Sequence, residues 1–307
     1  MKMTNFVYQF IFFNVIFLLQ TSCVGKVQNQ SVVVTSENDS ITIGEEITIY
    51  KMPYAYDHAI IYHAEQRKWH LYGIEAGNKS FIHLTADSLT QQGWKKHTPF
   101  AYKKEEIWAP HIIENNGLYY MFFTDIGVPR EIRLATSKDL FDWKHHAVEP
   151  LFAYANAHTV NQKNKDPMVF WNESNKQWIM YFSMMKDDKH WVVGYSTSTD
   201  LVNWNGPKIC FDEHTEEPNV ESPFVVKRGD FYYLFLSARP WPHGAEEVFK
   251  SKSPLRWESK DIVKSINPWH AAEVVQDLDG KWYLSRSSGN KTDFRLAPLI
   301  WNDGIED

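Results

Sequence analysis

A ring-rich, strand-like segment recurs five times along this chain at intervals of roughly fifty residues, and that period restricts the fold more than any other feature. The copies are Lys68-Trp69-His70-Leu71-Tyr72, Leu118-Tyr119-Tyr120-Met121-Phe122, Gln177-Trp178-Ile179-Met180-Tyr181, Phe231-Tyr232-Tyr233-Leu234-Phe235 and Lys281-Trp282-Tyr283-Leu284. Their anchors Trp69, Tyr119, Trp178, Tyr232 and Trp282 lie 50, 59, 54 and 50 residues apart. Turn signals such as Asn115-Asn116-Gly117 and Asp277-Leu278-Asp279-Gly280 precede most copies, so each reads as the second strand of a hairpin. A second marker closes the repeats: Ser137-Lys138-Asp139-Leu140-Phe141-Asp142-Trp143 matches Ser198-Thr199-Asp200-Leu201-Val202-Asn203-Trp204. Looser copies end at Trp94 and Trp257. Between hairpin and marker runs a third apolar strand. Four short strands per unit, repeated about an axis, make a propeller blade, so the expected fold is an all-β, five-bladed β-propeller. A two-sheet sandwich would not need a fixed period.

The aromatic content fits that expectation. With 13 Trp, 15 Tyr and 19 Phe, rings make up 15% of the 307 residues. Such rings pack sheet layers, and they also stack on sugar faces. The net charge of -6, with no Lys/Arg stripe, argues against nucleic acid as a partner. The only cysteines are Cys23 and Cys210, which excludes a disulfide framework. Cys210 is expected to be a small buried residue.

Residues 1–22 read as an export signal. Lys2 supplies the charge, Phe6 to Leu19 the apolar stretch, and Thr21-Ser22 the small residues before Cys23. A cysteine at that point resembles the attachment site of bacterial lipoproteins, which implies export with a lipid anchor to the membrane through Cys23. Residues 23–46 are expected to form a linker, supplying at most one strand at its end. Residues 47–307 would form the propeller, with blade five built from His270 to Trp301.

Superposing the repeats places Asp57, Trp108, Asp166, Glu221 and His270 at the start of the innermost strand of each blade. Innermost strands line a propeller's central channel, so three acids, an aromatic and a histidine would converge at one mouth. A purely structural fold gains nothing from converging carboxylates. Glycoside hydrolysis needs them: one protonated to assist the leaving oxygen, one ionised to activate water or attack the anomeric carbon. Trp108 would wall the sugar ring, and His270, Arg239 and Arg286 would contact hydroxyls. His270 is equally suited to a channel ion or water. No metal or cofactor is required, although a structural calcium near His270 is compatible with the sequence.

Trp108-Ala109-Pro110, Asp166-Pro167, Glu221-Ser222-Pro223 and the closing Leu296-Ala297-Pro298-Leu299-Ile300-Trp301 resemble glycoside hydrolase family 43, which includes arabinanases, arabinofuranosidases and β-xylosidases. The resemblance spans about Tyr50 to Trp301. It implies a glycosidase acting on arabinofuranosides, xylosides or related oligo- and polysaccharides with inversion. Asp57 would be the general base, Glu221 the general acid, and Asp166 the residue that tunes and orients the acid. Apolar neighbours and Asp166 are expected to keep Glu221 protonated. Many members have proline after the blade-one aspartate, where this chain has His58, itself a candidate sugar contact. The alternatives are a retaining fructosidase of the family 32 type, whose signatures are absent, and a non-catalytic carbohydrate-binding propeller.

Overall fold

The computed structural model describes residues 40–102, 106–127, 130–146, 151, 163–186, 190–212, 220–238, 245–267, 269–287 and 292–305. The export segment, Cys23, most of the expected linker and Arg239 lie outside the described residues.

Two short strands, β1 (Ile41–Ile43) and β2 (Ile47–Lys51), open the described chain. Four four-stranded antiparallel sheets follow. Blade one is β3 (His58–His63), β4 (Lys68–Ile74), β5 (Ser80–Ala86) and β6 (Lys95–Ala101). Blade two is β7 (Ile107–Asn115), β8 (Leu118–Asp125), β9 (Glu131–Ser137) and β10 (Trp143–His145). Blade three is β11 (Asn164–Asn172), β12 (Gln177–Met185), β13 (Trp191–Ser198) and β14 (Lys208–Phe211). Blade four is β15 (Glu221–Arg228), β16 (Phe231–Ser237), β17 (Glu246–Ser251) and β18 (Ile262–Ile266). Blade five is β19 (Glu273–Gln276), β20 (Trp282–Ser287) and β21 (Asp293–Trp301). Its outer edge comes from the other end of the chain, because both β1 and β2 pair with β21. Among the described residues the only helical element is the 3-10 turn Ser259–Asp261. The five-bladed propeller expected from the repeat is therefore the fold.

Each ring-rich segment is the second strand of its blade, and rings from neighbouring blades meet between the sheets. Tyr72, Phe81 and Phe123 fill the space between blades one and two, and Tyr233, Phe235 and Phe249 lie in the cluster joining blades three to five. All six are essentially inaccessible to water. Burying a ring of this size contributes roughly 1.5–3 kcal/mol, which explains why the aromatics recur with the blade period. Cys210 is buried among these residues, its thiol pushed well up by burial.

Ahead of the expected boundary at residue 47, β1 pairs with β21 and Glu46 with Arg286, so both belong to blade five. Glu46 receives both the Nε (2.8 Å) and an Nη (2.8 Å) of Arg286 on β20. A polar stretch looked like linker because its partners lie more than two hundred residues away. The ring closes through them, leaving neither β21 nor its carbonyls as a free edge.

Candidate active site

In most blades the mouth-facing residue near the start of the inner strand is set by a repeated backbone irregularity. In blades two, three and four the pairing to the second strand shifts by one residue, between Trp108 and His111, Lys165 and Met168, and Glu221 and Phe224. The extra residue of each bulge has a left-handed backbone: Ala109 (φ 46°), Asp166 (58°) and Ser222 (51°), each preceding a proline. Ala271 (52°) matches them in blade five. A bulge re-aims the residue before it, which here faces the channel mouth. The equivalent residues are thus Trp108, Lys165, Glu221 and His270. Blade one has no bulge at this place, and there Asp57 takes the same position, its carbonyl accepting from the Ile74 amide at 3.1 Å.

This corrects the sequence superposition in one blade. The residue equivalent to Glu221 is Lys165, and Asp166 is the bulge residue one position further on. The shared proline two residues after Trp108, Lys165 and Glu221 was the signal that identifies the true register.

The side chains converge as follows. A mouth cavity of about 320 Å³ is lined by Tyr54, Tyr56, Asp57, Trp108, Lys165, Asp166, Glu221 and His270. His270 Nε2 stands between two acids, 3.9 Å from Asp57 Oδ1 and 3.8 Å from Glu221 Oε2. The gap between those two oxygens cannot exceed the sum of these distances. Lys165 Nζ lies 2.6 Å from Glu221 Oε1 and 3.2 Å from Asp166 Oδ2. Burial opposes the lysine's charge, but Asp166, Glu221 and Asp57 together hold its ammonium above the ordinary lysine range. The nearest group to Glu221 is therefore a cation, not the apolar wall expected for it.

Asp166 is only 4% exposed and bonds both backbone and side chains. Its Oδ2 accepts from the Ser222 amide (3.2 Å) and the Ser183 hydroxyl (3.2 Å), while its own amide donates to Thr124 Oγ1 (3.0 Å). Ser237 Oγ accepts from the Ala271 amide in the same way (2.8 Å). The left-handed residues of blades three, four and five are thus pinned to the neighbouring blade, and Asp166 fixes the peptide that carries Glu221.

A small void of about 20 Å³, room for a single water, shares Asp57 and Asp166 with the mouth and is lined below them by His58, Met168 and Glu273. His58 belongs to this inner space. It is 1% exposed, its Nε2 lies 2.8 Å from Ser285 Oγ, and burial lowers its pKa to about 4 against the opposing backbone bond from Tyr56. The imidazole is neutral and holds blade one to blade five, so it does not reach a sugar in the mouth. Two further carboxyls sit near Asp57: burial, with the charge of Asp57 adding, raises Glu246 to about 8 and Glu273 well above the ordinary range. Arg286 is likewise corrected. It is 6% exposed, is bonded to Glu46, stacks 4.8 Å from the Trp269 ring centroid, and lines neither cavity.

Trp108 does line the mouth, and the guanidinium of Arg130 lies over its ring at 5.1 Å. Burial pulls Arg130 below its ordinary range against the attraction of Asp166 and Glu221. Arg130 was not legible in the sequence, because it precedes the third strand of its blade and has no counterpart among the aligned inner-strand positions. As for an ion beside His270, no three His, Cys, Asp or Glu side chains among the described residues converge as metal ligands. The residues present do not fit a protein-ligated calcium there.

A closed five-bladed propeller with opposed carboxylates at one mouth of its channel defines the class of protein. The family model for glycosyl hydrolases family 43 matches residues 79–305, and the chain belongs to that family. Asp166 and Glu221 fall inside the match, and Asp57 precedes it. A 1,2-beta-oligomannan phosphorylase from Thermoanaerobacter is 31% identical over 99 residues, covering 31% of this chain and 28% of that protein. A xylosidase/arabinosidase from Butyrivibrio fibrisolvens is 24% identical over 241 residues, 64% of this chain and 42% of the relative. The chain spans less than half the length of these curated relatives. Among solved structures, an endo-arabinase from Bacteroides thetaiotaomicron superposes with a TM-score of 0.66 at 16% identity, covering 85% of this chain and 99% of that one. That likeness concerns the fold.

Proposed function

We propose that this chain is an exported glycosidase that hydrolyses arabinofuranosides, xylosides or related linkages in oligo- and polysaccharides, with inversion. The observation that carries the reading is the placing of Asp57 and Glu221 on either side of His270, across a cavity large enough for sugar rings. Glu221 donates its proton to the glycosidic oxygen as the bond to the anomeric carbon breaks. Asp57 takes a proton from the water that attacks the opposite face of the sugar. Asp166 orients Glu221 through the Ser222 peptide, and Lys165 neutralises the carboxylate that Glu221 becomes once its proton has left. Trp108 offers a ring face to the sugar. The chemistry draws on water alone and needs no metal or redox cofactor.

Inverting pairs stand roughly 6.5–9.5 Å apart and retaining pairs nearer 5–5.5 Å. The upper limit set through His270 admits the lower part of the first window and the whole of the second, so the stereochemical assignment rests on the family resemblance. Proton NMR of the first-formed sugar tests it, and a product of retained configuration would overturn the roles. A panel of nitrophenyl glycosides and plant polysaccharides identifies the substrate. Glu221→Gln should abolish cleavage of poor leaving groups and spare much of the activity on an activated aryl glycoside, whereas Asp57→Asn should be inactive on both. Export and lipidation at Cys23 are tested by the mass of the native protein, whose first residue should be a lipid-bearing Cys23.

A further inference from the structure

Four tryptophans close the outer edges of blades one to four, and one of them is less deeply buried than the rest. Trp94, Trp204 and Trp257 are buried, at 2%, 8% and 3% exposure, whereas Trp143 is only half-buried. The loop that carries Trp143 is nevertheless built like that of Trp204. Ser137 and Ser198 each accept from the amides two and three residues on, Asp139 and Asp200 do the same, and Leu140 and Leu201 both have left-handed backbones. The indole N–H of Trp204 turns back to its own loop, to the Leu201 carbonyl at 3.1 Å, and that of Trp94 to the Gln91 carbonyl at 2.8 Å. That of Trp143 instead reaches across to the Tyr72 hydroxyl of blade one at 3.1 Å. Beside it, where the other copy has the partly buried Val202, stands Phe141 at 43% exposure.

Beside Trp143 lies a cleft of about 440 Å³ between β6 and β10, walled by Phe141 and Trp143 over the buried Phe100 and edged by His97, Asp142 and His145. We infer that this cleft is a second glycan-binding site, separate from the mouth, which holds a neutral segment of a polysaccharide chain. Flat rings alternating with imidazole and carboxylate edges match the two surfaces of a sugar, its apolar face and its hydroxyls. No lysine or arginine is among the described lining residues, and the carboxylate of Asp142 at the edge favours a neutral chain over an anionic one. The volume falls within the roughly 300–1,000 Å³ of small-ligand sites, and a folded protein partner would need far more surface. The cleft also runs toward the mouth end of blade one, where β6 finishes at Ala101 beside Ser80. One polymer can therefore lie in the cleft while its end or a branch enters the mouth. The site goes beyond the proposed turnover and does not depend on it.

Native gels cast with linear arabinan, arabinoxylan or β-mannan test the inference on the full chain, alongside kcat/KM on polymer and on an aryl glycoside. The wild type should be retarded by at least one polymer. Phe141→Ser, at an exposed position, should weaken that binding about tenfold, the loss expected for one good stacking face. His145→Ala, also exposed, should weaken it less, and both variants should melt like the wild type. On the polymer kcat/KM should fall in step, while kcat/KM on the aryl glycoside stays unchanged. Unaltered retardation of both variants, or no retardation of the wild type by any of the three polymers, overturns the site. A wild type that binds polymer through the cleft but cleaves no glycoside would sink the catalytic reading of the mouth and leave the cleft standing.

Discussion

Replacing Lys165 with methionine tests the electrostatic logic of the mouth most directly. Its ammonium contacts both Glu221 and Asp166 and is itself only 5% exposed. Methionine keeps the stem that packs near Trp191, whose ring lies 5.1 Å from the charge, and removes only the cation. Two carboxylates, at 18% and 4% side-chain exposure, then lose the cation that touches both and keep only the more distant attraction of Arg130. Stripping one partner from a buried pair costs about 3–5 kcal/mol. The loss should depend on pH. The penalty is a charge effect, so it should be largest at high pH and shrink as the solution is acidified. A carboxyl raised in the folded state contributes stability at low pH that is lost as pH rises. Urea denaturation of wild type and variant at pH 5, 6.5 and 8 measures this, with an expected stability gap that widens with pH. A matching upward shift of the alkaline limb of the pH–rate profile should appear on glycoside substrates. Equal destabilisation at all three pH values would show that Lys165 acts through packing alone, and the electrostatic account would be refuted.

Two other outcomes follow from the same coordinates. Glu246 is fully buried and raised from 4.5 to about 8, so between those values the unfolded chain ionises before the native one and raising pH favours unfolding. At about 1.4 kcal/mol per unit the cost reaches on the order of 5 kcal/mol by pH 8, and Glu246→Gln should recover much of it in thermal melts at pH 8 and little at pH 5; a constant difference would contradict the burial argument. Deleting residues 38–51 strips β1 and β2 from β21 and leaves buried Arg286 without Glu46, so the truncated chain should aggregate or lose its cooperative melt. A monomer melting at the wild-type temperature would mean the ring does not close through this edge.

The sequence by itself determined the fold, because blade period, hairpin turns and rings are local patterns that each repeat states again. It also brought Asp57, Trp108, Glu221 and His270 to one mouth, since equivalent places in equivalent blades must face a common axis. What it could not supply was whatever depends on a single inserted residue or on distant chain. One bulge moves Asp166 off the ring of facing residues and puts Lys165 there, a shift of one position that reverses the charge presented to Glu221. His58 and Arg286 are chemically suited to sugar hydroxyls, yet Ser285 and Glu46 engage them first. Those partners lie more than two hundred residues away and are brought near only when the ring closes. Trp143 and Trp204 carry the same local motif and the same loop hydrogen bonds, yet one indole closes on its own loop and the other crosses to Tyr72. That choice is made by the neighbouring blade, through packing that no spacing along the chain encodes.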